Sequence, residues 1–179
     1  MTWSPDDEAT PELVNVYLKP GTLYCAAEAS RVTTILGSCV AVCLWDTKLR
    51  VGGINHYLLP HWRGRGARPR FGDTAIEKLL EGMLRLGCQP ETLRAKVFGG
   101  AAVLGFATGG DPVGDQNVRV ALETLRQHDI PIIARRTGGV SGMWIRMLTE
   151  SGEVTARCIA TAAIEPVRRD LPDRVMQRA

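Results

Sequence analysis

A chain of 179 residues with a net charge of +3 has room for one domain with an ample core, and too little positive charge to argue by itself for nucleic acid. Its 45% apolar and 23% charged residues are an ordinary soluble composition, and no apolar run nears the roughly 20 residues of a membrane helix, so no membrane insertion is expected. The five cysteines are odd in number and form no CxxC pair, which argues against a disulfide framework and for reduced thiols in a cytoplasmic protein.

Residues 1–12 are acidic and contain proline, and read as a flexible tail without a secretory signal. Val14, Val16 and Leu18 alternate up to Lys19-Pro20-Gly21, which predicts a strand and a turn. Residues 31–36 form a second extended stretch. Two apolar runs follow, 39–45 and 52–59, and read as a hairpin. With its turn centred on Thr47-Lys48, Trp45 meets Arg50, Leu44 meets Val51, and Cys39 meets His56. A bulge at Gly52-Gly53 would shift this register by one. Residues 62–70 read as an exposed loop. Thr74 and Glu77 resemble a capping box before a helix with Ile76, Leu79, Leu80 and Met83 on its inner face and Gly87 as its stop. Residues 95–98 predict a strand. Asn117 is a candidate cap for a second helix that buries Val118, Ala121, Leu122 and Leu125. Residues 132–137 predict another strand, and 143–148 with 153–159 a last hairpin. This order predicts an α+β domain over residues 13–165, with mixed, mainly antiparallel sheets layered against two main helices. A charged tail, 166–179, follows it.

Cys39 and His56 carry the candidate chemistry. A thiolate is a good nucleophile and a thiol a poor one, and a free cysteine with a pKa of about 8.5 is mostly protonated at neutral pH. A histidine in contact takes the proton and holds an imidazolium beside the sulfur. Opposed residues on antiparallel strands have Cβ atoms roughly 4.5–5.5 Å apart, which suits that transfer. Gly37-Ser38 supply a bend that aims backbone N–H groups at a reacting carbonyl oxygen. No Asp or Glu lies close by with matching strand parity, so a hydroxyl or backbone carbonyl is left to orient the imidazole. Thr33 and Thr34 are near, and Thr33 shares parity with Cys39. Cys25, Cys43, Cys88 and Cys158 lack a similar partner and read as core residues. The spacing Cys39-x3-Cys43-x12-His56-x4-His61 also fits a zinc finger. Pro60 prevents one helix from carrying both histidines, and the two cysteines lie within an apolar strand, so no metal and no cofactor are expected.

The block Leu36-Gly37-Ser38-Cys39-Val40-Ala41-Val42-Cys43-Leu44-Trp45-Asp46, with Gly52-Gly53-Ile54-Asn55-His56-Tyr57-Leu58-Leu59-Pro60, resembles the signature of the chemoreceptor glutamine deamidase family, CheD. Phe98-Gly99-Gly100-Ala101, Val113-Gly114-x-x-Asn117 and Gly138-Gly139-x-x-Gly142 resemble later motifs of that family, so the likeness runs from about residue 14 to 160. The resemblance implies that Cys39 is the nucleophile and His56 its base. It implies a threonine just before the cysteine as the third catalytic residue, Thr33 by ungapped counting with Thr34 as the alternative. It further implies hydrolysis of glutamine side-chain amides on the helical bundle of a chemoreceptor's cytoplasmic part, and a CheC-type phosphatase as a competing partner. Met143 stands where many relatives place Arg after the late glycines, a departure that touches partner contacts more than thiol chemistry.

Arg63, Arg65, Arg68 and Arg70 follow His56 closely. They read as a solvated loop or as a steering patch for acidic receptor helices. Only Trp62 and Phe71 border them, too little stacking surface to favour nucleic acid. Two further readings keep the sulfur: a non-catalytic adaptor for the phosphatase or receptor, and a thiol protease or transglutaminase-like enzyme.

Overall fold

The computed structural model describes residues 13–102 and 111–159. Both expected tails and the end of the expected domain beyond residue 159 lie outside the described residues. Among the described residues the chain forms β1 (Val14–Tyr17), β2 (Thr22–Ala26), β3 (Ser30–Leu36), β4 (Val40–Asp46), β5 (Gly52–His56), α1 (Gly72–Arg85), β6 (Leu93–Gly99), α2 (Val113–Gln127), β7 (Ile132–Thr137), β8 (Met143–Leu148) and β9 (Val154–Cys158).

Burial patterns assign these elements to three layers. In β3, Ser30, Val32, Thr34 and Leu36 are buried while the residues between them are more exposed, so this strand has one inner face. It sits in a four-stranded sheet of order β1-β3-β8-β9. β4 is apolar on both faces because it lies in the middle layer, a five-stranded sheet of order β2-β5-β4-β6-β7. Val40, Val42 and Leu44 pack with Ile76, Leu79 and Leu125 of the helices. Ala41 and Cys43 pack instead with Val32, Ile145 and Met147 of the other sheet. Two of the seven strand pairs, β1/β3 and β6/β7, are parallel. The architecture is the expected α+β arrangement.

Several local details differ from expectation. β2 was not anticipated; it pairs with β5 along the edge of the middle sheet. The β4–β5 register is two residues from the predicted one: Leu44 meets Gly53, and Val40 bridges Tyr57. The cause is the turn. The Asp46 carboxylate accepts hydrogen bonds from the Lys48 and Leu49 N–H groups, and Arg50 takes a left-handed φ of 56°, so the loop has four residues rather than two. Cys39 and His56 are therefore not opposed, and no bulge occurs at Gly52-Gly53. A two-residue shift preserves parity, so His56 still faces the layer between the sheets.

The capping box at Thr74 does not form. α1 starts earlier, at a Phe71 cap, where Phe71 bridges Leu59, and the Thr74 hydroxyl donates to the Arg68 carbonyl. The helix does stop as predicted. Gly87 has φ +90°, its N–H reaches the Leu84 carbonyl at 2.9 Å, and the Cys88 N–H reaches that of Met83 at 3.2 Å, which is a Schellman closure. Asn117 does not cap α2, which begins after Pro112; it lies one turn inside, on a buried face made by Gly114, Asn117, Val120, Ala121, Thr124 and Leu125.

Candidate active site

Gly37-Ser38-Cys39 carries the chain from β3 in one sheet to β4 in the other. The three carbonyls of this tripeptide are taken up by donors from two distant stretches of sequence, Gly100-Ala101 and α2. Ala101 N–H donates to the Gly37 carbonyl at 2.9 Å, and Gly100 N–H to that of Cys39 at 2.8 Å. The Asn117 amide donates to the Ser38 carbonyl at 3.0 Å and also to Leu58, where the chain leaves β5, at 2.9 Å. The approach is so close that a Cβ on Gly99 would stand 2.2 Å from the Cys39 carbonyl oxygen, and Gly99 has φ +102°. Gly114 likewise lets α2 touch Gly100: a Cβ there would lie 2.4 Å from the Gly100 oxygen. Gly138 N–H donates to Gly99, and Ala102 N–H to Gly139. The scattered glycine motifs thus converge on one loop and fix the half-buried Cys39 thiol. Sequence reasoning assigned no role to Asn117 here; its only signal was its place in a recognised motif.

His56 is buried and polar, at the end of β5. Its Nδ1 lies 2.8 Å from the Thr34 hydroxyl, which donates its proton to the Leu18 carbonyl at 2.8 Å. A hydroxyl has a single proton to give. Having given it to Leu18, Thr34 accepts from Nδ1–H, and this fixes the tautomer with the Nε2 lone pair free. Nε2 has no hydrogen-bond partner, so the Cys39 sulfur does not hold it at rest. Both residues belong to the layer between the sheets, where Cys39 packs against the cluster containing Leu36 and Met143. The ring's partner is Thr34 and not Thr33, which pairs with Tyr17 and Arg146 in the sheet. Parity counted from Cys39 pointed to Thr33, but the chain changes sheets at Gly37-Ser38, and parity does not carry across that crossing.

Burial pushes the Cys39 thiol up, against the pull of the Cys39 and Gly37 backbone N–H groups, which favour the thiolate. Burial lowers His56 to about 4. Both groups are neutral at rest, in place of the thiolate–imidazolium pair expected from the sequence. Iodoacetamide labelling of Cys39, followed on its own peptide by mass spectrometry, should therefore rise by about tenfold per pH unit between roughly pH 7 and 9, without an acid-side plateau. A preformed ion pair would give a nearly flat profile.

The same burial ties stability to pH. Unfolded His56 takes a proton below its usual 6.5, whereas folded His56 does so only near 4. The unfolded state binds more protons in that window, so stability falls as pH drops through it. Relative to His56→Gln, the wild type should lose about 3 kcal/mol between these limits, read by urea unfolding.

The other candidates of the sequence are placed as follows. Cys43 is in the inter-sheet core, its thiol pushed up to about 12 by burial, while His61 is exposed and stands 3.6 Å from Asp73. Among the described residues no group of three or more His, Cys, Asp or Glu is placed to hold a metal. Met143 is buried, so its side chain fills the core. Arg63, Arg65, Arg68 and Arg70 are exposed on the loop before α1; Arg68 stacks on Trp62 at 4.8 Å from the ring centroid.

The family described as CheD chemotactic sensory transduction matches residues 58–158, more than half of the sequence. The chain belongs to the CheD family. That matched span begins just after His56. A probable chemoreceptor glutamine deamidase CheD of Rhodospirillum rubrum is 51% identical over 146 residues, covering 82% of this chain and 83% of the relative. The protein of the same name from Trichlorobacter lovleyi is 45% identical, covering 77% and 86% of the two chains. The one from Caulobacter vibrioides is 39% identical, covering 89% and 86%. No helix among the described residues is long and apolar enough to cross a membrane.

Proposed function

We propose that this member of the CheD family is a protein-glutamine deamidase acting on the cytoplasmic helices of chemoreceptors, with Cys39 as nucleophile, His56 as base and acid, and Thr34 orienting the ring. The observation that carries this reading is the hydrogen-bonded chain from Leu18 through Thr34 to Nδ1, which leaves the Nε2 lone pair without a partner in the layer that Cys39 adjoins. The names of the relatives support the substrate class.

The substrate carboxamide enters against a neutral thiol. Nε2 takes the Sγ proton as sulfur bonds to the amide carbon, and the oxygen that gains charge is met by the N–H groups of the pinned loop. The imidazolium returns its proton to the amide nitrogen, the C–N bond breaks, and ammonia leaves a thioester. His56 then deprotonates a water, which adds to the thioester carbon; the C–S bond breaks, the imidazolium returns its proton to Sγ, and glutamate is released. The arginine loop at 63–70 serves encounter with acidic receptor helices, and a CheC-type phosphatase competes for the same protein in the cytoplasm.

Mass spectrometry of co-expressed receptor fragments tests the reading. Specific glutamines should gain the mass of an NH2-to-OH exchange with the wild type, and none with Cys39→Ala. Equal modification by both proteins refutes the role of Cys39. No modification by either leaves the non-catalytic adaptor.

A further inference from the structure

The outward face of the four-stranded sheet carries Arg31, Arg146 and Arg157 beside Tyr17, Ile35 and Trp144. Register places them in rows: Tyr17 and Arg146 flank Thr33, and Ile35, Trp144 and Arg157 are successive neighbours across β3, β8 and β9. Tyr17 is 60% exposed and Ile35 48%. The guanidinium groups of Arg146 and Arg157 lie 5.7 and 5.9 Å from the Trp144 ring centroid. Among the described residues none of the three arginines makes an ion pair. The row of Ile35 and Trp144 is also the end of the sheet nearest the reactive sulfur. Leu36 follows Ile35 and leads into the Cys39 loop, and Met143, which precedes Trp144, packs in the cluster that Cys39 joins.

We propose that this face docks an anionic helical segment of the protein substrate and so presents its glutamine to Cys39, an inference that rests on the deamidase reading. The exposed Tyr17 and half-buried Trp144 mixed with arginine match the composition of interface centres. Three cations with no carboxylate partner among the described residues call for a partner of opposite charge. Three neighbouring strands span roughly 10 Å, the diameter of one helix with its side chains. Nucleic acid fits less well, because two guanidinium groups already engage the Trp144 ring that a base would stack on.

Binding is measured in the Cys39→Ala background, where no turnover occurs, with a chemoreceptor cytoplasmic fragment from the same cell as probe. Arg146→Glu/Arg157→Glu should weaken binding by at least about tenfold, and the wild-type surface should bind more weakly as salt rises. Trp144→Ala, which keeps every charge, should weaken it as well. Circular dichroism confirms that each variant is folded. An unchanged Kd in the folded charge-reversal variant overturns the proposal. So does a short oligonucleotide that binds this face more tightly than the receptor fragment does. A third result against it would be glyoxal labelling of Arg146 and Arg157 that appears only after deletion of residues 1–12, which would make the chain's own acidic segment the occupant. Loss of deamidation is read separately by mass spectrometry of the Cys39 protein, so a failed activity and a failed docking surface give different results.

Discussion

Thr34→Val is expected to lower kcat by about two to three orders of magnitude, while Thr33→Val leaves it near the wild-type value. The substitution keeps the shape of the side chain and removes one hydroxyl. That hydroxyl serves two partners, the Leu18 carbonyl and the His56 Nδ1–H. Without it the ring loses the contact that sets its tautomer, and a proton on Nε2 would make His56 useless as a base. Two buried polar groups also lose their partner, which should lower stability by about 1–3 kcal/mol in urea unfolding. Thr34→Ser restores the hydroxyl and should recover most of kcat, which a loss of packing alone would not predict. Equal damage from the two valine variants would refute the assignment of Thr34.

Asn117→Ala is expected to lower stability by about 2–4 kcal/mol and to lower kcat with little change in KM. Its amide nitrogen donates to both Ser38 and Leu58, so one side chain ties the Cys39 loop to the segment that follows His56. Truncation leaves two part-buried carbonyls without their donor and frees the loop whose N–H groups face the thiol. Asn117→Asp is the sharper variant. It preserves volume but turns the donor into an acceptor against two carbonyl oxygens, so it should be worse than alanine. Urea unfolding gives the stability, and the KM-against-kcat split shows whether the loop still aims the sulfur. A stable Asn117→Asp protein with normal kcat would remove the tie from the account.

The strands that carry the site were legible because their patterns are extreme. β4 is apolar on both faces, which only a middle layer allows, and β3 is a β-branched run ended by Gly37. β2 was missed because Thr22-Leu23-Tyr24-Cys25-Ala26 is a half-buried edge strand with no clean alternation. The hairpin register was misjudged because Asp46 captures two N–H groups and lengthens the turn, a tertiary choice with weak local signature. Thr74 and Asn117 looked like helix caps because both residue types favour caps. The chain uses the first to hold the loop before α1 and the second to hold the Cys39 loop. The two residues singled out for chemistry, Cys39 and His56, were found by type and spacing. How they are held came from glycines whose purpose depends on approach between distant segments, which no local pattern encodes.

On the proposed mechanism, a Cys39 thiol kept protonated until an amide arrives is also a thiol spared. Peroxide attacks thiolates far faster than thiols, and a sulfur taken to the sulfinic stage is lost for good. With burial holding Cys39 in its unreactive form, idle molecules should outlast oxidative episodes that would exhaust an enzyme with a permanently ionised sulfur, and the pool available for the next round of signalling stays intact.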